Sequence, residues 1–294
     1  MSLSPGSLSV SLALLLVISN VAAVAEEISG GDCSACHAAI SGEWRSSLHA
    51  AAYTYPAFQQ KLKESAAAGD SSCGCHTPSP LPPVYLGKEP AARADTHELG
   101  VDCLACHMDS SLTAWSSGEE RYVPHWTRQE KIYSSAAFCG GCHAWGRGSA
   151  FDCQTCHMPR VEGGSSDGPR IGVTAGATHA SHRWEGSRDP ELFSGAAGLE
   201  AIRRGDSLEV TVSSLLSAHY FPQSRHRLMK VAALAGNDGG KVWETDLRLA
   251  PDSTAQFLVA LPENMPGLRV ELRFYPVPEV QPDSFYVIRR RILE

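Results

Sequence analysis

Apolar and polar positions divide this chain into stretches of different character. Leu8 to Val24 is an almost unbroken apolar run, interrupted by Ser9, Ser11, Ser19 and Asn20. From about Gly30 to Trp184 long periodic segments are scarce. Pro56 to Ala68 predicts one helix, stopped by Gly69. Ser79-Pro80-Leu81-Pro82-Pro83 and Gly163 to Gly168 read as loops. Asp189-Pro190-Glu191 has the form of an N-cap followed by a first-turn proline, and predicts a helix to Arg204 with Gly205 as its stop. From Ser207 the period changes to two. Leu208, Val210 and Val212 alternate with polar residues, and Leu268, Val270, Leu272 and Phe274 do so more clearly. Strand-like runs at Arg227–Leu234, Lys241–Leu249 and Ala255–Leu261 lie between them. Turn signals at Asn237–Gly240, Pro251–Ser253 and Pro266-Gly267 separate these runs.

These patterns predict mostly short helices and loops in an N-terminal domain, and an all-β antiparallel sandwich-like domain at the C-terminus. The expected boundaries are a leader at 1–25, a first domain at 26–188, a connecting helix at 189–206 and the sandwich at 207–294. Ala23-Val24-Ala25 before Glu26-Glu27 has the form of a signal-peptidase site, although no Lys or Arg precedes the apolar run. A retained N-terminal anchor is the competing reading. No later segment approaches a transmembrane helix, so the mature chain is expected to be soluble and periplasmic, cell-surface or extracellular. The net charge of −7 gives no basic footprint for nucleic acid. Arg289-Arg290-Arg291 reads as a solvated face, with a basic partner patch as the alternative.

Cysteine changes the picture most. All ten cysteines fall between Cys33 and Cys156. In an exported chain they would ordinarily suggest disulfides. Their spacing argues otherwise. Cys33-Ser-Ala-Cys36-His37, Cys103-Leu-Ala-Cys106-His107, Cys139-Gly-Gly-Cys142-His143 and Cys153-Gln-Thr-Cys156-His157 all read Cys-x-x-Cys-His, the attachment signature of c-type haem. Two thiols add to the vinyl groups and the following imidazole binds iron from one face. At this Cys and His frequency a chance match is expected about 0.01 times per chain. Thioredoxin-like chemistry needs no His after the pair, and zinc bound by paired cysteines leaves that His unexplained.

A fifth segment, Cys73-Gly74-Cys75-His76, is one residue shorter. Gly74 has no side chain and can permit the tighter loop. A fifth haem is expected here, making five haem c and leaving no cysteine for disulfides. If this site is empty the count is four. Porphyrins would supply the apolar surface that the N-terminal domain lacks, so that domain is expected to be haem-dominated.

Seven histidines lie outside the motifs. His49, His97, His125, His179, His182 and His219 are candidates for the second axial position, and His226, in Arg225-His-Arg, reads as surface. Met108 and Met158 directly follow motif histidines and read as packing residues. Supply exceeds the five positions that full bis-His coordination needs. Saturated iron suits an electron carrier, because no position is open to substrate. No catalytic residue is predicted, and the expected partners are other redox proteins or cytochromes, or a second copy of the chain. Two alternatives remain: a multihaem oxidoreductase with one open haem acting on a small nitrogen or sulfur compound, and a filament-forming extracellular cytochrome.

Trp44-Arg-Ser-Ser-Leu-His49 after the first motif, and Cys153-Gln-Thr-Cys156-His157-Met-Pro159, resemble the multihaem cytochromes related to the tetrahaem electron carrier of ammonia-oxidising bacteria. Ser217-Ala-His219-Tyr-Phe-Pro222, followed by Arg227 and strands, resembles the β-sandwich appended to many such proteins. The resemblance implies that His219 is a haem ligand. Relatives in this broad group include filament-forming cytochromes and enzymes acting on hydroxylamine or nitrite. The sequence departs from the nitrite reductases, which place Lys after one Cys pair.

Overall fold

The structure, a computed structural model, describes residues 33–67, 73–80, 90–109, 113–118, 126–143, 151–166, 177–184, 186, 189–224, 226–236, 239–263, 265, 267–276, 278 and 281–293. The leader expected at 1–25 and His125 lie outside the described residues, as do parts of the two expected loops. The chain falls into two compact units, Met1–Tyr55 with Ser65–Trp184, and Pro56–Glu64 with Glu185–Glu294.

Regular elements in the first unit are short, as its sequence predicts. A 3-10 turn at Cys33–Ala35 leads into α1 (Ala38–Arg45). α2 (Pro56–Ala67), whose residues 56–64 belong to the second unit, follows the predicted helix to within a residue of its expected end. α3 (Cys103–His107), α4 (Ala136–Cys139) and α5 (Cys153–His157) each carry motif residues. Helices of one turn are marginal alone, so side-chain ties must fix them. Asp102 caps α3 by accepting the Ala105 N–H at 2.9 Å, and Arg93 pairs with the Asp102 carboxylate. Gln154 in α5 donates to the carbonyls of Tyr133 (3.0 Å) and Ser135 (2.9 Å), which precede α4. Two small ribbons complete the unit: β1 (Ala114–Ser116) parallel to β2 (Thr127–Gln129), and β3 (Arg160–Glu162) antiparallel to β4 (Thr178–Ala180).

Antiparallel sheets build most of the second unit. After α6 (Pro190–Ser194) come β5 (Ala197–Arg204), β6 (Ser207–Ser214), β7 (Leu228–Ala235), β8 (Gly240–Leu247), β9 (Thr254–Ala260), β10 (Leu268–Tyr275) and β11 (Tyr286–Leu293). The sheets have the orders β5-β6-β9 and β11-β10-β7-β8. Inward positions alternate as expected. Leu208, Val210 and Val212 of β6 share one core with Met229 and Val231 of β7 and with Leu268, Val270, Leu272 and Phe274 of β10.

The structure corrects two expectations. Residues 197–204 are a strand, not the second half of a helix: α6 ends at Ser194 and β5 pairs residue for residue with β6. Ala197 and Leu199 turn into the core, and Gly205, at φ 62°, makes the two-residue turn of a β-hairpin. Cross-strand pairing outweighs the helix propensity of Ala, Leu, Glu and Arg. The three arginines are not simply a solvated face. They lie in β11, where Arg289 and Arg291 donate to the Ala197 and Leu199 carbonyls of β5 at 3.0 and 2.9 Å. These bonds satisfy an open strand edge. Arg290 instead pairs with the buried Glu271 at 2.8 Å.

Candidate haem-binding region

In two of the regular motifs the backbone turns as one helical step. The His37 and His143 N–H groups donate to the carbonyls of Cys33 and Cys139, both at 2.8 Å, four residues back. At the fifth motif the His76 N–H reaches the Cys73 carbonyl three residues back (2.9 Å), and the Thr77 N–H takes the four-residue bond (3.1 Å). The shorter loop thus keeps the bond from the histidine to the first cysteine. Gly74 is required for it: a Cβ there would stand 1.8 Å from the Pro90 carbonyl oxygen. None of the ten cysteines is disulfide-bonded. Among the described residues no three His, Cys, Asp or Glu side chains converge as on a bare metal ion, which is the arrangement a cysteine zinc site needs.

Thiols from different motifs meet. Cys33 hydrogen-bonds with Cys103, Cys75 with Cys142, and Cys139 with Cys153. Cys106 lies close enough to perturb Cys139 and Cys142. The hydrogen bond with Cys33, then burial, raises the Cys103 thiol; the bond with Cys75, then burial, raises Cys142. Burial pushes Cys106 and Cys139 up to about 12. All five attachment segments therefore form one connected cluster in the first unit.

The motif histidines are oriented from behind. Nδ1 of His76 lies 2.9 Å from the Ala52 carbonyl, Nδ1 of His107 lies 2.7 Å from that of Trp115, and Nδ1 of His37 contacts that of Ser165. An Nδ1–H held by a carbonyl fixes the tautomer and leaves Nε2 for a metal. Tyr133 adds support that the sequence did not signal. Its hydroxyl donates to the Cys106 carbonyl at 2.7 Å and its ring stacks on His107 at 5.7 Å.

Among the other histidines, two face motif histidines. The ring centres of His49 and His143 are 6.0 Å apart, and those of His182 and His107 are 6.1 Å apart. A metal–imidazole bond is about 2.0–2.1 Å, and the ring centre lies ~1.1 Å beyond the nitrogen, so two imidazoles on opposite faces of one ion have centres about 6.3 Å apart. Burial holds the His49 imidazole down to about 3, aided by His143, His182 and His76. Burial, then His107, holds His182 down to about 4. Both rings are thus neutral, the metal-binding form. Nδ1 of His49 is buried without a hydrogen-bond partner, while Nδ1 of His182 is 2.8 Å from the Ala180 carbonyl.

The remaining candidates differ. His97 turns Nε2 to the Arg93 carbonyl at 2.7 Å, leaving Nδ1. His179 is 5% exposed with both ring nitrogens against protein oxygens, at 3.1 Å from the Gly163 carbonyl and 3.2 Å from Glu43. His219 belongs to the second unit, its Nδ1 2.8 Å from the Tyr220 carbonyl. His226 is exposed. The donor set, the oriented imidazoles and the orphaned His49 nitrogen all fit haem c.

The motifs and this geometry fit the attachment of several c-type haem groups. Residues 32–108 match the family described as cytochrome c554 and c-prime. No curated protein matches the chain. Among solved structures the chain resembles the penta-haem cytochrome c552 from Thermochromatium tepidum, at 16% identity and a TM-score of 0.58, over 89% of this chain and 97% of that one. This likeness is one of fold. A superoxide reductase from Nanoarchaeum equitans aligns over 36% of this chain and 96% of its own, at 9% identity and a TM-score of 0.22. No helix among the described residues is long and apolar enough to cross a membrane.

Proposed function

We propose that the protein is an exported electron carrier with five haem c groups, each iron held by two histidines. The motif ligands are His37, His76, His107, His143 and His157. His49 is the second ligand opposite His143, and His182 the second ligand opposite His107. His97, His125 and His219 are the candidates for the other three. The two imidazole pairs at 6.0 and 6.1 Å carry this reading, because each joins a motif histidine to one distant in sequence at the separation that one iron imposes. The Gly74 turn supports the fifth haem by keeping the motif's bond between histidine and first cysteine. Contact between attachment cysteines supports electron transfer, since haems attached there would lie close together. The small-x-small site before Glu26 supports export, with electrons exchanged with other redox proteins outside the inner membrane.

An intact mass of the secreted protein counts the haems and locates the cleavage site together. The reading expects five haem additions on a chain starting near Glu26, with low-spin spectra that carbon monoxide, cyanide and nitrite leave unchanged. Four additions would remove the haem from Cys73–His76. A haem that binds one of these ligands would favour an oxidoreductase.

A further inference from the structure

We infer that Glu43 is a positioning residue for the ligand His182, and that His179 works with it and is not itself a haem ligand. This rests on reading His182 as the ligand opposite His107. Glu43 lies in α1, directly after the first motif, yet its carboxylate engages a segment 136 and 139 residues away. Oε1 lies 3.2 Å from His179 Nε2, and Oε2 accepts the His182 backbone N–H at 2.8 Å. With its other nitrogen on the Gly163 carbonyl, His179 directs no lone pair toward a metal. His182 differs, because its Nδ1 is held by Ala180 and Nε2 is left as the metal-binding atom.

The His182 segment needs such a clamp. It leaves β4, a strand of three residues paired only with three-residue β3. Ribbons this small are marginal in water. Two bonds fix the chain beyond it: the Ser181 N–H to the Pro159 carbonyl at 2.9 Å, and the His182 N–H to Glu43. The first ties the loop to the end of the Cys153–His157 motif segment. The second ties it to the helix after the first motif. Glu43 is 12% exposed, so its bonds are poorly replaced by water. With His179 assigned to Glu43 and His226 exposed, the seven histidines outside the motifs reduce to five, one for each proposed haem.

The test compares holoproteins of wild type, Glu43→Ala, Glu43→Gln and His182→Ala. The readout is the amount of ferrous haem that binds carbon monoxide, and the temperature at which high-spin absorption appears. His182→Ala should expose one haem equivalent per chain. Glu43→Ala should expose the same haem, so that the double variant binds no more carbon monoxide than His182→Ala alone. Glu43→Gln keeps an oxygen for the His182 N–H. It should stay low-spin at room temperature but turn high-spin at a lower temperature than wild type, a result that stands even if Glu43→Ala is not recovered with its haems. Wild-type behaviour in both Glu43 variants, with His182→Ala opening one haem, would overturn the inference. No opening in His182→Ala would instead overturn the ligand assignment beneath it. A further loss of low-spin haem in His179→Ala beyond that of Glu43→Ala would show His179 to be a ligand and overturn its role here.

Discussion

Gly74 offers a sharp test of how the shortened motif is built. In Gly74→Ala the new Cβ would stand 1.8 Å from the Pro90 oxygen and 2.9 Å from its carbonyl carbon, both backbone atoms. Real Cβ contacts stay beyond 3.0 Å, so oxygen and Cβ must separate by at least 3.0 − 1.8 = 1.2 Å. Pro90 cannot yield freely. The chain beyond it is stitched to the motif's own continuation by Ser79 N–H to Ala91 carbonyl (2.8 Å) and Arg93 N–H to Thr77 carbonyl (2.9 Å), and Thr77 is fully buried. Overpacking typically costs about 1–3 kcal/mol, and each disrupted bond about 0.5–1.5 kcal/mol. The expected destabilisation is therefore roughly 2–4 kcal/mol. Urea unfolding of the holoprotein, followed by haem absorbance, measures it, and an intact mass asks whether the haem at Cys73–His76 still attaches. A variant within about 0.5 kcal/mol of wild type, the range of neutral surface changes, and with an unchanged haem count would refute the packing argument.

Other outcomes follow from the same geometry. His49→Ala should open the haem carried by Cys139 and Cys142, seen as one haem equivalent that binds carbon monoxide; unchanged low-spin spectra would refute the assignment. In the second unit Phe274, 1% exposed, packs against Phe193 and Phe221 with ring centres at 4.6 and 5.7 Å. Phe274→Ala should cost about 3–5 kcal/mol, read by denaturant titration with Trp243 fluorescence. Glu271 is 2% exposed beside Arg269, Arg273 and Arg290. Burial pulls its carboxyl upward, but the bond from Arg273 and the surrounding arginine charges outweigh burial and hold it below the ordinary glutamate range. A carboxyl lowered in the folded state stabilises above its unfolded pKa, and this is lost as pH falls through the folded one. Urea midpoints should thus fall on acidification below about pH 4.3, and less steeply in Glu271→Gln; parallel profiles would refute the assignment.

Much of this protein is legible without coordinates. Four Cys-x-x-Cys-His segments point to haem chemistry because thioether attachment demands a short local spacing. The strands β6 and β10 are legible because burial on one face imposes a period of two, and β7 to β9 because turn signals separate their strand-like runs. β5 is not, since Ala197–Arg204 suits a helix by propensity and only its pairing with β6 makes it a strand. For the same reason Arg289 and Arg291 look like surface charge until the edge of β5 stands opposite them. The histidines outside the motifs mark the supply of ligands, yet nothing local tells His179 from His182, three residues apart. That distinction depends on Glu43, Gly163 and His107, which are far apart in the chain and meet only in the fold. Sequence determines which groups can bind haem, because that chemistry is covalent and local. Tertiary structure decides which imidazole faces which, because an axial pair is a separation in space between residues that the chain itself keeps apart.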